Sequence, residues 1–465
     1  MKSSNRGGNT VASWPLALAV GFASSAAGCA VESRAAQEPV GTTGAALSLN
    51  TVTLESVDNQ GDVGNSSSYN PSISGNQQYV VFTSASTNWT PGTNTNGASQ
   101  IFLKNRNSGA ITLVSASGGV AGNAGSYNAS VSDTDVVAFA TDATNLAPGA
   151  TGPYSAIIAS SGEGNSRVDI ALSGQPNGAS SQPQISGDGS TVVFQSDASN
   201  LVSGDTNGFT DVFVRDLSSN TVTLVSLAAG GIQANGPSYG ASISYDGRYV
   251  AFTSDASNLQ YNDGNGVSDV FLYDRTLGYV RPVSFSTTGQ GGSVGNGASD
   301  LAQVSGDGQH VSFRSYSVWD SGDTNGVANT FITDFVGTIA NAPHRVNVST
   351  AGVQANNASW QSAPSYDGSA VAFASAATNL VDGVTAIYAG VYVRERSTSQ
   401  TVRADQRDPQ TQAIGGSVAL GSTIRFSGNP GVPSWSFLAF DSSAWNLTWS
   451  PTSGNQNAYT ASLSP

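Results

Sequence analysis

Two short segments set oxygen-bearing side chains at alternate positions around a glycine. They read Asp205-Thr-Asn207-Gly-Phe-Thr-Asp211 and Asp263-Gly-Asn265-Gly-Val-Ser-Asp269. A hard cation such as Ca2+ is held by carboxylate, amide and carbonyl oxygens on a loop that turns tightly at glycine. A third segment keeps Asp323 and Asn325 but has Asn329 where the last carboxylate would stand. The matching stretch near the N-terminus holds Asn94, Asn96 and Gln100 and no charge. Asp, Asn and Gly also build and cap turns without any ion. Calcium at these loops and plain turn chemistry are therefore both open, and the loops lack the closing Glu of an EF-hand.

An asparagine recurs nine residues ahead of a serine, at Asn65, Asn123, Asn177, Asn235, Asn296 and Asn356. Four residues beyond each come Tyr69, Tyr127, Ser181, Tyr239, Asp300 and Trp360. Aromatic platforms beside amides suit a sugar or a peptide, which makes Tyr69, Tyr127, Tyr239 and Trp360 a candidate binding face. The competing reading is architectural: Asn bonds loop backbone, and the ring packs between repeats. Catalytic patterns are sparse. His310 and His344 are the only histidines; the first takes the place of Tyr249 as an exposed strand residue, and the second follows Pro343. Gly291-Gly-Ser293-Val-Gly295 has the G-x-S-x-G spacing, but in a glycine-rich loop instead of the strand-to-helix turn of a nucleophile elbow. No residue is assigned a catalytic role.

These residues recur because the chain itself repeats. The segment Pro183-Gln-Ile-Ser-Gly-Asp-Gly-Ser-Thr-Val-Val-Phe194 returns as Ala241-Ser-Ile-Ser-Tyr-Asp-Gly-Arg-Tyr-Val-Ala-Phe252. Its final phenylalanine recurs at Phe82, Phe139, Phe194, Phe252, Phe313, Phe373 and Phe440, at intervals of 55–67 residues. Each repeat reads as four strands. The first ends in Ile-Ser, and an Asp-Gly turn (Asp188-Gly189, Asp246-Gly247, Asp307-Gly308, Asp367-Gly368) leads to the second. Such a turn between apolar runs signals a hairpin, because glycine takes positive φ without strain. After the polar loop come Asp211-Val-Phe-Val-Arg-Asp216 and Thr221-Val-Thr-Leu-Val-Ser226. Seven such units predict an all-β chain, a single seven-bladed β-propeller over residues 50–465. The last repeat stops after its third strand, Ala458-Tyr-Thr-Ala-Ser-Leu-Ser464, while Thr51-Val-Thr-Leu-Glu-Ser56 is fourth-strand text with no repeat before it. The N-terminal strand is thus expected to complete the C-terminal blade and close the ring.

The pattern Ile-Ser-x-Asp-Gly-x-x-Val-Ala-Phe, then Ser-Asn-Leu-Val, then Gly-Asp-Thr-Asn-Gly-x-x-Asp-Val-Phe-Val-Arg-Asp resembles the WD40-like repeats of the TolB-type propeller family. The resemblance covers residues 50–465 and is clearest over 177–285. It implies a secreted or periplasmic binding scaffold and no particular ligand. Members of that family are often six-bladed, so the seventh copy is a departure.

Composition narrows the classes further. Charged residues are 10% of the 465, against about 25% in ordinary soluble domains. Only five residues are Glu and two are Lys, the main exposed-helix formers, which excludes a helical protein. A net charge of −14 and a pI near 4.3 disfavour nucleic acid as a partner. Lys2 and Arg6, the apolar run from Leu16 to Ala23 and the small residues after it read as a secretory leader over residues 1–28. That run is too short to span a bilayer. Cys29 is the only cysteine, so no internal disulfide forms; its place after Ala26-Ala27-Gly28 resembles a bacterial lipobox. Cys29 is therefore expected to carry lipid, with residues 29–49 as a flexible tether. Loss of Lys2 and Arg6 with the leader takes the net charge to −16.

The resulting expectation is a monomeric propeller lipoprotein in the periplasm or at the outer membrane or cell surface. It would touch the membrane only through its lipid and bind a protein or glycan there. The alternative is an envelope polysaccharide lyase or glycoside hydrolase that uses carboxylates on one propeller face.

Overall fold

The computed structural model of the chain describes residues 47–464, without 90–95, 150–153, 163, 261–262, 287–292, 320–321, 338, 383–388, 407–423, 431–436, 444–446 and 448–454. The leader, Cys29, Asn94, Gly291 and most of the expected tether lie outside the described residues. Every described element is a strand.

Blade three shows the plan: Ser180–Ile185, Thr191–Ser196, Asp211–Asp216 and Thr221–Leu224 pair antiparallel in chain order, from the ring axis outward. The innermost strands of the other blades are Ser68–Ile73, Ser126–Val131, Ser238–Ile243, Ser299–Val304, Ser359–Pro364 and Arg425–Phe426. The seven four-stranded blades form the expected propeller. In blade five the outer strand is split, so that Asn329–Val336 pairs with both Ile339–Ala340 and His344–Arg345.

The second and third strands are buried almost throughout, because each blade is covered on both faces by its neighbours. The seven recurring phenylalanines are all fully buried. In six blades the ring stacks on an aromatic residue of the third strand with centroids 5.8–6.2 Å apart. Each pair adds about 0.5–1.5 kcal/mol beyond its buried area. In blade two Phe139 faces Ile158 instead.

The ring closes as expected. Ser48–Leu54 pairs with Asn457–Ser464 as the outermost strand of blade seven, with Val52 opposite Ala461. Leu47 and Leu49, just ahead of residue 50, are buried in the core shared by blades six and seven. Just after this strand, the buried Glu55 carboxylate meets Arg106 Nε at 2.9 Å and Lys104 Nζ at 3.6 Å in blade one. It also accepts the Thr460 hydroxyl in blade seven at 2.7 Å. One carboxylate thus ties the last blade to the first.

Candidate binding channel

The innermost strands surround a central channel, and its lining can be read from the serine that ends each strand: Ser74, Ser132, Ser186, Ser244, Ser305, Ser365 and Ser427. Residues at equal offsets from these serines sit at equal depth. The position after each serine forms one end: Gly75, Asp133, Gly187, Tyr245, Gly306, Tyr366 and Gly428. Small and large residues alternate here because rings must lean over their neighbours. A Cβ on Gly187 would lie 2.1 Å from the Tyr245 ring, and one on Gly306 would lie 2.2 Å from Tyr366. Tyr245 and Tyr366 meet edge to face at 6.0 Å. Tyr245 donates its hydroxyl to Asp133 Oδ2 at 3.0 Å, and Asn429 Nδ2 donates to the same oxygen at 2.8 Å. These contacts link blade six through four and two to seven at this end. Burial and the neighbouring Asp133 push the Tyr245 pKa up to about 12.

A belt of hydrogen bonds between successive hairpins ties this end together. Gly428 N donates to Gly75 O, Asn76 N to Asp133 Oδ1, Asp133 N to Gly187 O, Asp188 N to Tyr245 O, Tyr245 N to Gly306 O and Asp307 N to Tyr366 O. The Asp-Gly turns that set this geometry are locked locally. In blade three Asp188 Oδ1 accepts Ser190 N, and Gly189 has φ +79°. Blades one and two fill the same left-handed position with Gln77 and Asp135.

The opposite end is rimmed, among the described residues, by Asn70, Asn128, Gln182, Gly240, Leu301 and Gln361, each four residues before its serine. All of these lie at a break in strand register between the first and second strands. Asn70, Asn128, Gln182, Gly240 and Leu301 have φ between +50° and +62°. A bulge of this kind re-aims a side chain, here into the channel. Asn and Gly tolerate that conformation, whereas Leu301 holds it at a cost of about 1 kcal/mol.

Between mouth and floor lies a layer of Ser72, Ser130, Gln184, Ser242, Gln303, Ala363 and Arg425. Arg425 is its only charged member. It borders both the cavity of about 130 Å³ toward the floor and the one of about 180 Å³ toward the mouth. The channel wall around it pushes its pKa down to about 10. Sequence reasoning overlooked this residue, although a signal existed: aligning Ser427 with the other six serines puts Arg425 where they have Ser, Gln or Ala.

The residues singled out from sequence lie around the mouth. Asn65, Asn123, Asn177, Asn235 and Asn356 each clamp the loop that follows the second strand, through side-chain bonds such as Asn177 Nδ2 to Ser199 Oγ at 2.9 Å. Tyr69 bonds Ser99, Tyr127 bonds Asp142 and Ser155, and Tyr239 bonds Asp255 and Ser268. Their hydroxyls therefore bind loops, and their rings are half-buried. Trp360 is buried in the core, with its indole nitrogen unbonded. His310 is not the exposed strand residue expected from sequence. It packs over the Gly368 turn and bonds Asp334 through Nδ1 at 2.7 Å, because the next blade's hairpin covers it.

The Asp/Asn loops come together as the sequence spacing requires. Asn207 donates to Asp211 Oδ2 at 2.8 Å and to Ala234 O, while its Oδ1 accepts Phe209 N; Asn265 does the same toward Asp269, Gly295 and Val267. Both asparagines are thus committed to the turn and to the next blade. Asp205 accepts Gln233, and Asp211 accepts the Ser226 hydroxyl. Burial, together with Asp205 or Asp263 nearby, pushes Asp211 and Asp269 up to about 6 against hydrogen bonds that oppose it. Blade five differs. There Asn329 Nδ2 donates to both oxygens of Asp323, which also faces Arg345 at 4.0 Å. Among the described residues, no three His, Cys, Asp or Glu side chains converge as one metal cluster.

The fold defines a seven-bladed β-propeller with a central channel. Solved structures with similar chain architecture include an oligogalacturonate lyase from Vibrio parahaemolyticus, at 12% identity and TM-score 0.49, covering 90% of this chain and 96% of that one. A putative TolB from Agrobacterium tumefaciens matches at 14% identity and TM-score 0.37, covering 86% and 91%. TolB from Acinetobacter baumannii matches at 15% and 0.35, covering 78% and 76%. No protein-family model and no curated protein matches the chain.

Proposed function

We propose that the chain is a binding propeller of the bacterial cell envelope that takes a protein or glycan at the mouth of its channel. The observation that carries this reading is the ring of Asn70, Asn128, Gln182 and Gln361 around that mouth. Amides offer both donors and acceptors, and held on bulged strands over a hydrogen-bonded belt they are preorganised for a polar ligand. The leader over residues 1–28 and Cys29 supply export and a lipid anchor in this reading. Calcium in the loops of blades three and four belongs to it as well. Asp205 faces Asp211 and Asp263 faces Asp269 without the amide that Asn329 supplies in blade five, and a cation would relieve that repulsion.

The test is capture from envelope extracts on the immobilised chain and on a variant with Asn128, Gln182 and Gln361 changed to Ala. A protein or glycan retained by the first and lost by the second supports the reading; equal retention refutes it. Turnover of a polysaccharide, abolished by a single Asp→Asn change on the mouth face, would replace it with the enzyme reading. Cys29→Ala should move the protein from the membrane fraction to the soluble one.

A further inference from the structure

We propose that the channel holds an oxyanion, a carboxylate or phosphate group of a small or thin ligand, on the guanidinium of Arg425. The inference rests on the mouth being the binding face and adds the chemistry of what enters it. Arg106, Arg248, Arg314, Arg396 and Arg403 each meet a carboxylate within 3.0 Å, while Arg215 is bonded to Asn220 and Arg281 to the Gly337 carbonyl between the Tyr249 and Phe335 rings. Among the described residues Arg425 has no such partner, and its one hydrogen bond runs from Nη1 to the adjacent Ile424 carbonyl at 3.0 Å. Between it and the floor the lining is apolar, with Ile185, Ile243 and Phe426, and the floor holds a single acid, Asp133, whose oxygens are occupied by Asn76 N, the Tyr245 hydroxyl and Asn429 Nδ2.

An unpaired cation in a walled channel has lost part of its hydration, and a bound oxyanion restores it at close range and reduced dielectric. The planar guanidinium fork matches the two oxygens of a carboxylate or phosphate. Gln184 and Gln303 stand in the same layer and can donate amide hydrogens to the same group. Tyr245 and Tyr366 line the floor side of the channel, and the amides of the mouth line the other. Cavities of about 130 and 180 Å³ are smaller than those of drug-sized sites, about 300 Å³ and upward, and fit a single acidic group or one extended chain end.

The experiment is isothermal titration of the full chain, at low ionic strength and with chloride excluded, using inorganic phosphate in one arm and acetate in the other. Saturable binding in at least one arm is expected, with the stronger arm naming the source. Arg425→Gln should weaken it by about tenfold or more, and Arg425→Lys should retain part of it. Circular dichroism of each variant shows that the fold is kept. No saturable binding to the wild type in either arm, or unchanged binding in a folded Arg425→Gln, overturns the proposal. The wider reading fails separately: if the wild type captures nothing from envelope extracts, that reading falls even where phosphate binds, and if Arg425→Gln still captures its partner, only the anion assignment falls.

Discussion

The Tyr245 hydroxyl reaches Asp133 Oδ2 at 3.0 Å although the two residues belong to blades four and two. That bond joins two blades that are not neighbours in the ring, and it depends on Gly187 and Gly306 leaving room for the two tyrosine rings.

Gly187→Ala should therefore destabilise the chain out of proportion to one methyl group. Its Cβ would sit on backbone-anchored Tyr245, and overpacking of this kind costs about 1–3 kcal/mol. Combined with Tyr245→Ala the penalty should largely disappear. A double-mutant cycle in urea reads the coupling, and additive effects would show that the ring does not rest on Gly187.

Glu55 joins the first and last blades. Glu55→Ala leaves Lys104 buried without its partner, and breaking a buried pair in this way costs about 3–5 kcal/mol. The expected result is a clear fall in melting temperature, with exchange protection lost first along residues 48–54. A loss spread evenly over all blades would contradict a seam-specific role.

Acidic groups in two places pull stability in opposite directions as pH falls. Burial pushes Asp211 and Asp269 up to about 6, so their contribution is full below their unfolded value near 4 and is lost as pH rises through 6. Burial would also raise Asp334, but bonds from His310 and Arg396 outweigh it and hold the group at about 2. That contribution is present above pH of about 4 and disappears between there and 2, a loss of about 2 kcal/mol. Melting temperature should rise from pH 7.5 to 5 and fall steeply below 4. Asp334→Asn should make the acid limb shallower while leaving the upper one unchanged; Asp216, which hydrogen bonds from Ser219 and Ser218 also hold at about 2, keeps part of it.

Calcium at millimolar concentration should raise the melting temperature at pH 7.5 and do so less at pH 5, where protons compete for Asp211 and Asp269. Asp211→Asn with Asp269→Asn copies the residue that blade five carries at position 329. This double variant should melt as high as the wild type without calcium and show no calcium shift. An unchanged wild-type melting curve at pH 7.5 would leave turn chemistry as the whole role of these loops.

Much of this architecture was legible in the chain. The seven phenylalanines, the Asp-Gly turns and the displaced N-terminal strand gave blade number, hairpins and ring closure, because each reflects a local rule repeated at a fixed period. The Asn clamps were legible as a recurrence, and their role became clear only from the loop backbone they bond. The bulge that turns Asn70, Asn128 and Gln182 inward left no period-2 signature, because it interrupts the alternation by which strand faces are read. Arg425 escaped notice because its repeat, like that of blade two, has drifted from the pattern the other blades share.

What the sequence determined by itself was the ring: its all-β character, its repeat, its closure and the depletion of Glu and Lys that follows from having strands and turns alone. Local propensity and hydrophobic spacing suffice for those, since every blade repeats the same short-range pairing. What only the tertiary structure decided was the axis. Which of seven similar strands contributes a glycine, a tyrosine, an amide or the single arginine has no meaning until all seven converge. Side chains more than a hundred residues apart, such as Asp133 and Tyr245, then come within hydrogen-bond reach and tie non-adjacent blades together.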